Sequence, residues 1–144
     1  MTNKKKIALF VPAIGFGGAE KVVSLLTFEL PKYFDVTLIL LYDVKKLPIS
    51  NDVKVILLSK EGETFKTSRI SHFTDYFKFI FQYTKVLKAE KIDVVVSFML
   101  RQNIMTGFAK MFNPHLKSII SERCFPSKRY KNTKLTSLIT KTMI

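Results

Sequence analysis

Apolar runs alternate along the chain with longer segments whose apolar residues recur at helical spacing. The apolar runs predict five strands, Ile7–Val11, Val36–Tyr42, Val53–Leu58, Asp93–Phe98 and Ser118–Ser121. Several consecutive positions are apolar in these runs, which is typical of parallel strands buried on both faces. The other segments predict helices over Ala19–Leu30, Ser68–Glu90 and Arg101–Phe112, and a last one from about Asn132. This alternation predicts a doubly wound α/β sheet.

A glycine-rich loop joins the first strand to the first helix. Gly15, Gly17 and Gly18 precede Ala19, and glycine adopts backbone angles closed to other residues. Free N–H groups at the helix start suit an anion, phosphate foremost. The spacing fits neither the dinucleotide fingerprint, whose third glycine would fall on Glu20, nor a P-loop. The alternative is a tight turn without a ligand, with Glu20 simply an acid in the first helical turn.

Polar side chains follow the fourth and fifth strands. They are Ser97, Arg101 and Asn103 after the fourth strand, and Ser121, Glu122 and Arg123 after the fifth. Ligands of doubly wound sheets bind beyond the carboxyl ends of the strands, so we expect these residues and the glycine loop to share one crevice. Arginine and amide groups there can bind phosphate or sugar hydroxyls. The alternatives are a helix cap at Ser97 with a solvated helix face, and a surface ion pair of Glu122 with Arg123.

The sequence gives little support for a metal site or for a catalytic cysteine. His72, His115 and Cys124 lack the spacing of metal ligands, and no histidine lies near Cys124 in sequence to activate it. A single cysteine excludes an internal disulfide and fits a reducing, cytoplasmic compartment. No apolar run approaches the roughly 18–20 residues of a membrane span.

The helix predicted over Ser68–Glu90 carries more aromatic side chains than one buried stripe requires. Its predicted core stripe consists of Ile70, Phe73, Phe77, Ile80, Thr84 and Leu87. The remaining aromatic residues are Tyr76, Phe79, Phe81 and Tyr83, and the basic residues around them are Arg69, Lys78, Lys85, Lys88 and Lys91. This combination fits docking on an anionic membrane surface. A buried helix, or one covered by another domain, explains the same pattern.

Composition and charge narrow the class of protein. With 144 residues, 47% of them hydrophobic, the chain has the size of one domain with a real core. The net charge is +13, and from Val94 onward nine basic residues stand against one acid, Glu122. This excess predicts an anionic partner, such as a phosphate ligand or acidic lipid, unless it only maintains solubility. Nucleic acid is not expected, because no recognised nucleic-acid motif is present.

Three segments together resemble the N-terminal, acceptor-side domain of the family 4 glycosyltransferases, which have the GT-B fold. They are Gly17-Gly18-Ala19-Glu20-Lys21-Val22, Val94–Phe98 with Arg101-Gln102-Asn103, and Ile119–Arg123 with Pro126. Cys124 and Phe125 stand where relatives often have Asn and Asp, so the chain departs from the family pattern at this expected acceptor contact. The resemblance implies one Rossmann-like domain over residues 1–144. It also implies that the chain is truncated, because the C-terminal nucleotide-sugar domain and its paired-glutamate motif are absent.

The resemblance also implies an activity. Family members transfer a sugar, with retention, from a nucleotide-sugar donor to an acceptor, here expected to be a cell-surface glycan or lipid-linked precursor. By that similarity the donor diphosphate lies against Gly17, Gly18 and Ala19. The acceptor side is formed by Glu20, Ser97, Arg101, Asn103, Ser121, Glu122 and Arg123.

Cofactors, location and the competing interpretation follow from the same similarity. Neither a cofactor nor a metal is expected, because helix N-termini and basic side chains would meet the diphosphate charge. The protein is expected in the cytoplasm, peripheral to the inner face of the cytoplasmic membrane. This chain alone is expected to be inactive. The alternative is a non-catalytic α/β module that binds a nucleotide or an anionic membrane.

Overall fold

The computed structural model describes residues 4–59 and 69–122, and in the second helix it describes side chains from Phe77 onward. The strands are β1 Lys6–Val11, β2 Asp35–Leu40, β3 Lys54–Leu57, β4 Val94–Phe98 and β5 Lys117–Ser121. The helices are α1 Gly18–Glu29, α2 Arg69–Ala89 and α3 Leu100–Phe112, with a 3-10 turn at Leu30–Lys32. All five predicted strands and the first three predicted helices are confirmed, with ends shifted by up to two residues. The helix predicted from about Asn132 lies outside the described residues.

The five strands form one parallel sheet in the order β3-β2-β1-β4-β5. β1 lies in the middle, and five of its six residues are buried. The chain first builds outward from β1 through β2 to β3, then crosses to β4 and β5 on the other side. The predicted doubly wound sheet is therefore confirmed, and the strand order reverses between β1 and β4.

Alternate residues of β1 belong to two separate cores. Leu9 and Val11 pack with Val23 of α1 on one face of the sheet. Ala8 and Phe10 pack on the opposite face with side chains of α2 and α3, among them Tyr83. This division follows from the period of two along a strand. It places α1 on one face of the sheet and α2 and α3 on the other.

Tyr83 anchors α2 in the core that this helix shares with α3. Its ring stacks on Phe10 with 4.2 Å between ring centroids, and its hydroxyl lies 3.0 Å from the Thr106 hydroxyl of α3. Burial raises the pKa of Tyr83 far above its ordinary value of 10. The phenol therefore stays protonated in the folded protein. It joins both helices to β1.

The contacts of Tyr83 change the predicted orientation of α2. Phe79 and Tyr83, expected outside the core stripe, are buried with Ile80 and Leu87. Phe77, expected inside that stripe, is 56% exposed. The predicted stripe is thus wrong at Phe77, because the helix is apolar on more than one face and stacking on Phe10 selects the face that turns inward.

Candidate functional site

The segments singled out from the sequence lie at one edge of the sheet. β1, β4 and β5 are parallel neighbours, with Phe10 paired to Ser97 and Ser97 paired to Ile120. The glycine loop, the start of α3 and Glu122 therefore follow the carboxyl ends of three adjacent strands. α1 and α3 begin at this edge on opposite faces, at the point where the strand order reverses. Crevices at such points are where α/β sheets bind ligands.

The start of α1 leaves backbone N–H groups without helical partners. Gly17 is the N-cap residue, no side chain caps the helix, and the first helical bond runs from the Lys21 N–H to the Gly17 carbonyl over 3.0 Å. The preceding N–H groups of Gly18, Ala19 and Glu20 lie before that bond. With the helix dipole, they form a region that favours negative charge.

Gly17 has an ordinary backbone angle, and its missing side chain leaves the space that the Glu20 carboxylate occupies. Its φ is −72°, and none of the described glycines has a φ in the left-handed region between 20° and 160°. The expected use of glycine-specific angles is therefore wrong for the three described loop glycines. A Cβ at Gly17 would instead overlap the carboxylate of Glu20, which folds back over the helix start. The Oε2 atom of Glu20 is buried there without a hydrogen-bond partner.

A second loop lies against the glycine loop. The Ile14 N–H donates to the Val44 carbonyl over 2.8 Å, and the Lys46 N–H donates to the Ile14 carbonyl over 2.6 Å. The Lys46 ammonium lies 5.3 Å from the centre of the Phe16 ring, and this ring is 67% exposed. An aromatic ring and a cation thus stand at the site edge. Sequence reasoning missed both, because it cannot tell that the loop after β2 pairs with the loop after β1.

Ser97, Asn103 and Ser121 bind one another across the edge of the sheet. The Ser97 hydroxyl donates to Asn103 Oδ1 over 2.8 Å, and Asn103 Nδ2 donates to the Ser121 carbonyl over 3.4 Å. Ser97 and Asn103 are buried. The predicted cap at Ser97 is wrong, because Met99 is the N-cap residue of α3 and makes no side-chain cap. Ser97 instead fixes the first turn of α3 through Asn103. Any contact of these two residues with an acceptor stays a prediction.

Met99 has a strained backbone at the centre of this edge. Its φ of 74° and ψ of 153° lie in a region that is almost restricted to glycine and costs about 1–3 kcal/mol. Two hydrogen bonds hold it, from the Met99 N–H to the Ser121 carbonyl over 3.1 Å and from the Asn103 N–H to the Met99 carbonyl over 3.0 Å. Strain of this kind concentrates at functional sites.

The charged residues predicted for the site occupy its rim. Arg101 is exposed in the first turn of α3, and Glu122 is partly buried directly after β5. Arg123 and Cys124 lie outside the described residues. In the described part of the chain no group of three or more metal-ligating side chains occurs. The roles assigned to these residues, and the expectation of a metal-free reaction, stay predictions.

Gln102 is a buried residue at this edge of the sheet that the sequence did not single out. It lies in the first turn of α3, is 1% exposed, and has no hydrogen-bond partner for either amide atom. The sequence predicts a ligand-binding role only for its neighbours, Arg101 and Asn103. No sequence signal distinguishes a buried amide without partners from an exposed one.

The helix α2 presents aromatic and basic side chains outside the core. Phe81 is 63% exposed, and the Lys85 ammonium lies 4.6 Å from the centre of its ring. Phe77, Lys78 and Lys88 are exposed as well. None of the helices in the described part of the chain has the length and apolar character to cross a membrane.

Comparison with known proteins adds a relationship that the geometry alone does not give. No protein-family model matches the chain. The chain is 30% identical over 141 residues to the N-acetylgalactosamine-N,N'-diacetylbacillosaminyl-diphospho-undecaprenol 4-alpha-N-acetylgalactosaminyltransferase of Campylobacter jejuni. The match covers 97% of this chain and 38% of that protein. The chain therefore resembles a glycosyltransferase over nearly all of its own length and spans little more than a third of that relative.

Solved structures share the fold at low sequence identity. Sucrose-phosphate synthase from Thermosynechococcus elongatus matches with a TM-score of 0.71 and 14% identity, over 97% of this chain and 40% of its own. A lipopolysaccharide outer core galactosyltransferase in its apo form matches with a TM-score of 0.67 and 18% identity, over 94% and 37%. The predicted Rossmann-like fold, which matches one half of these GT-B structures, is confirmed. Membership of family 4 in particular stays a prediction.

Proposed function

We propose that this chain is the acceptor-side half of a retaining glycosyltransferase that extends a cell-surface glycan precursor. The observation that carries the proposal is the 30% identity to a Campylobacter transferase along 97% of the chain. The name of that relative describes a diphospho-undecaprenol acceptor, which supports a lipid-linked acceptor here. Because the chain spans 38% of that relative, a second domain is proposed to bind the nucleotide of the donor.

The start of α1 is proposed to face the diphosphate of the nucleotide-sugar donor. The N–H groups of Gly18 and Ala19 precede the first helical hydrogen bond, and no side chain caps the helix by accepting a hydrogen bond from them. Negative charge develops on the diphosphate as the sugar departs, and fixed N–H donors stabilise such charge without reorganising. The proposed reaction therefore uses backbone donors and basic side chains and requires no metal.

The rim on the other side of the crevice is proposed to orient the acceptor. Arg101 and Glu122 follow adjacent strands, and Arg123 comes next in sequence. A carboxylate can accept a hydrogen bond from an acceptor hydroxyl while a guanidinium binds a phosphate oxygen. Glu20 is proposed to serve the acceptor in the same way, because its buried Oε2 has no partner.

A transfer assay with the complete protein that contains this chain tests the proposal. We expect incorporation of sugar from a panel of nucleotide sugars into a polyprenyl-diphosphate-linked acceptor, with the donor's anomeric configuration kept in the product. Residues 1–144 alone are expected to transfer none. A complete protein that binds a nucleotide sugar but leaves every acceptor unchanged would indicate the non-catalytic module instead. An inverted product would contradict retention.

We also propose that α2 holds the protein against the inner face of the cytoplasmic membrane. Phe77 and Phe81 are more than half exposed on this helix, and Lys78, Lys85 and Lys88 stand among them. Exposed aromatic rings insert at the head-group boundary while lysines attract anionic lipid. This surface gives the enzyme access to a lipid-linked acceptor.

Co-sedimentation with liposomes measures this contact. Lys78→Glu/Lys85→Glu is expected to abolish binding to liposomes that contain anionic lipid, because it reverses two charges beside Phe81. Lys21→Glu/Lys110→Glu makes the same change of net charge on α1 and α3 and is expected to bind like the wild type. Equal loss in both variants, or no binding by the wild type, would exclude α2 as the membrane surface.

A further inference from the structure

The amide of Gln102 is buried without a hydrogen-bond partner at either end. The residue is 1% exposed, and neither Oε1 nor Nε2 makes a hydrogen bond. Its neighbour Asn103 is buried to the same degree and has both ends of its amide bonded, to Ser97 and Ser121. In the first turn of α3, the Asn103 amide therefore has hydrogen-bond partners and the Gln102 amide has none.

Such an arrangement is unfavourable unless something binds there. A buried polar group without a partner costs about 1–3 kcal/mol, and an apolar side chain of similar size would avoid this cost. Buried polar atoms in folded proteins nearly always have partners, so an exception indicates a ligand or functional site. The fold by itself gives no reason for a glutamine at this position.

Gln102 projects toward the carboxyl edge of the sheet. Helical side chains tilt toward the helix N-terminus, and Gln102 lies in the first turn of α3. Thr106, one turn further along the same face, meets the Tyr83 hydroxyl of α2. Gln102 thus lies on the side of α3 that faces α2. Ser59, just after β3 at the same edge, also has a buried hydroxyl without a partner.

The chemistry of an amide defines the ligand. Oε1 accepts hydrogen bonds and Nε2 donates them, so a ligand that satisfies both must offer a donor and an acceptor. An ionised diphosphate offers only acceptors and would leave Oε1 unsatisfied. A sugar offers both, through an acetamido group or through adjacent hydroxyls. We infer that Gln102 is a specificity-determining residue that hydrogen-bonds a sugar ring of the acceptor, an inference that rests on the proposed function.

The substitution Gln102→Met separates this role from a structural one. Methionine fills a similar volume and removes both unpaired atoms, so the melting temperature of the complete protein is expected to rise by about 2–4 °C. The KM for the acceptor is expected to rise about 10- to 100-fold with kcat nearly unchanged, because a buried site rejects ligands that leave polar groups unpaired. Gln82→Met is the matched control, since Gln82 Oε1 of α2 is buried and unpartnered too.

Direct binding distinguishes failure of this inference from failure of the proposed function. N-acetylgalactosamine, galactose and inorganic pyrophosphate serve as probes in ligand-observed NMR titrations of the complete protein. Gln102→Met is expected to weaken binding of at least one sugar tenfold or more and to leave pyrophosphate binding unchanged. A larger effect on N-acetylgalactosamine than on galactose assigns the contact to the acetamido group, and equal effects assign it to ring hydroxyls.

Each remaining outcome has one meaning. Sugar binding that depends on Gln102, in a protein that transfers no sugar, supports the inference and contradicts the proposed function. Sugar transfer by Gln102→Met with an unchanged KM for the acceptor supports the proposed function and contradicts the inference. Absence of sugar binding by the wild type, or an equal loss in Gln82→Met, overturns the inference.

Discussion

A valine in place of Gly17 is expected to lower kcat/KM for sugar transfer about 100-fold in the complete protein. Its Cβ would overlap the Glu20 carboxylate, which folds over the helix start, and its methyl groups would cover the N–H groups of the first turn of α1. The backbone itself tolerates the change, because a φ of −72° and a ψ of 167° are open to valine. The loss would therefore arise at the proposed site, through the covered N–H groups or the displaced Glu20 carboxylate, and not from misfolding.

Gly18→Ala is the matched control for Gly17→Val. A Cβ at Gly18 meets no heavy atom within 4 Å, so this variant changes a loop glycine without filling the site. It is expected to keep activity within about threefold, because alanine retains the Gly18 N–H and its methyl group meets open space. Full activity in Gly17→Val would contradict the proposal that the start of α1 binds the donor diphosphate. A melting temperature far below that of Gly18→Ala would assign Gly17 to the fold instead.

Asn103→Leu is expected to lower the local free energy of unfolding at the β4–α3–β5 edge by about 2–3 kcal/mol. Leucine fills a similar volume but leaves the Ser97 hydroxyl buried without a partner. The bond from Asn103 to the Ser121 carbonyl is lost as well. These contacts surround Met99, whose strained backbone persists only while the structure around it is held in place.

Hydrogen exchange at the Met99 amide measures this loss directly. The amide donates to the Ser121 carbonyl, so its protection reports opening of the edge, and a hundredfold loss corresponds to about 2.7 kcal/mol. Adding Ser97→Ala removes the stranded hydroxyl and is expected to restore part of the protection. Lys110 is exposed on the same helix, so Lys110→Ala serves as the control and is expected to leave the protection of the Met99 amide unchanged. Unchanged protection in Asn103→Leu would mean that the network does not hold this edge.

Much of the architecture followed from local patterns. Apolar runs of four to seven residues are typical of buried strands, and the helical segments between these runs indicate parallel strands joined by helical crossovers. These patterns predict the ends of five strands and three helices to within two residues. They also predict that Gly17, Arg101 and Glu122 lie at one edge, because the carboxyl ends of parallel strands coincide.

The roles of individual side chains did not follow from the same patterns. Ser97 and Asn103 have the residue types of ligand-binding groups, yet they bind each other, because β4 and α3 bring them within 2.8 Å. Phe77 fits the helical stripe as well as Phe79 does, and only the stacking of Tyr83 on Phe10 decides which of them is buried. Such choices depend on partners distant in sequence.

The sequence by itself determined the order of the elements, the parallel sheet and the excess of positive charge, because each depends on spacing or on a sum along the chain. Tertiary structure decided what each polar group meets. Glu20 covers Gly17, Met99 takes a backbone conformation suited to glycine, and Gln102 is enclosed without a partner. These properties depend on contacts between elements that are distant in sequence, so a local sequence pattern does not predict them.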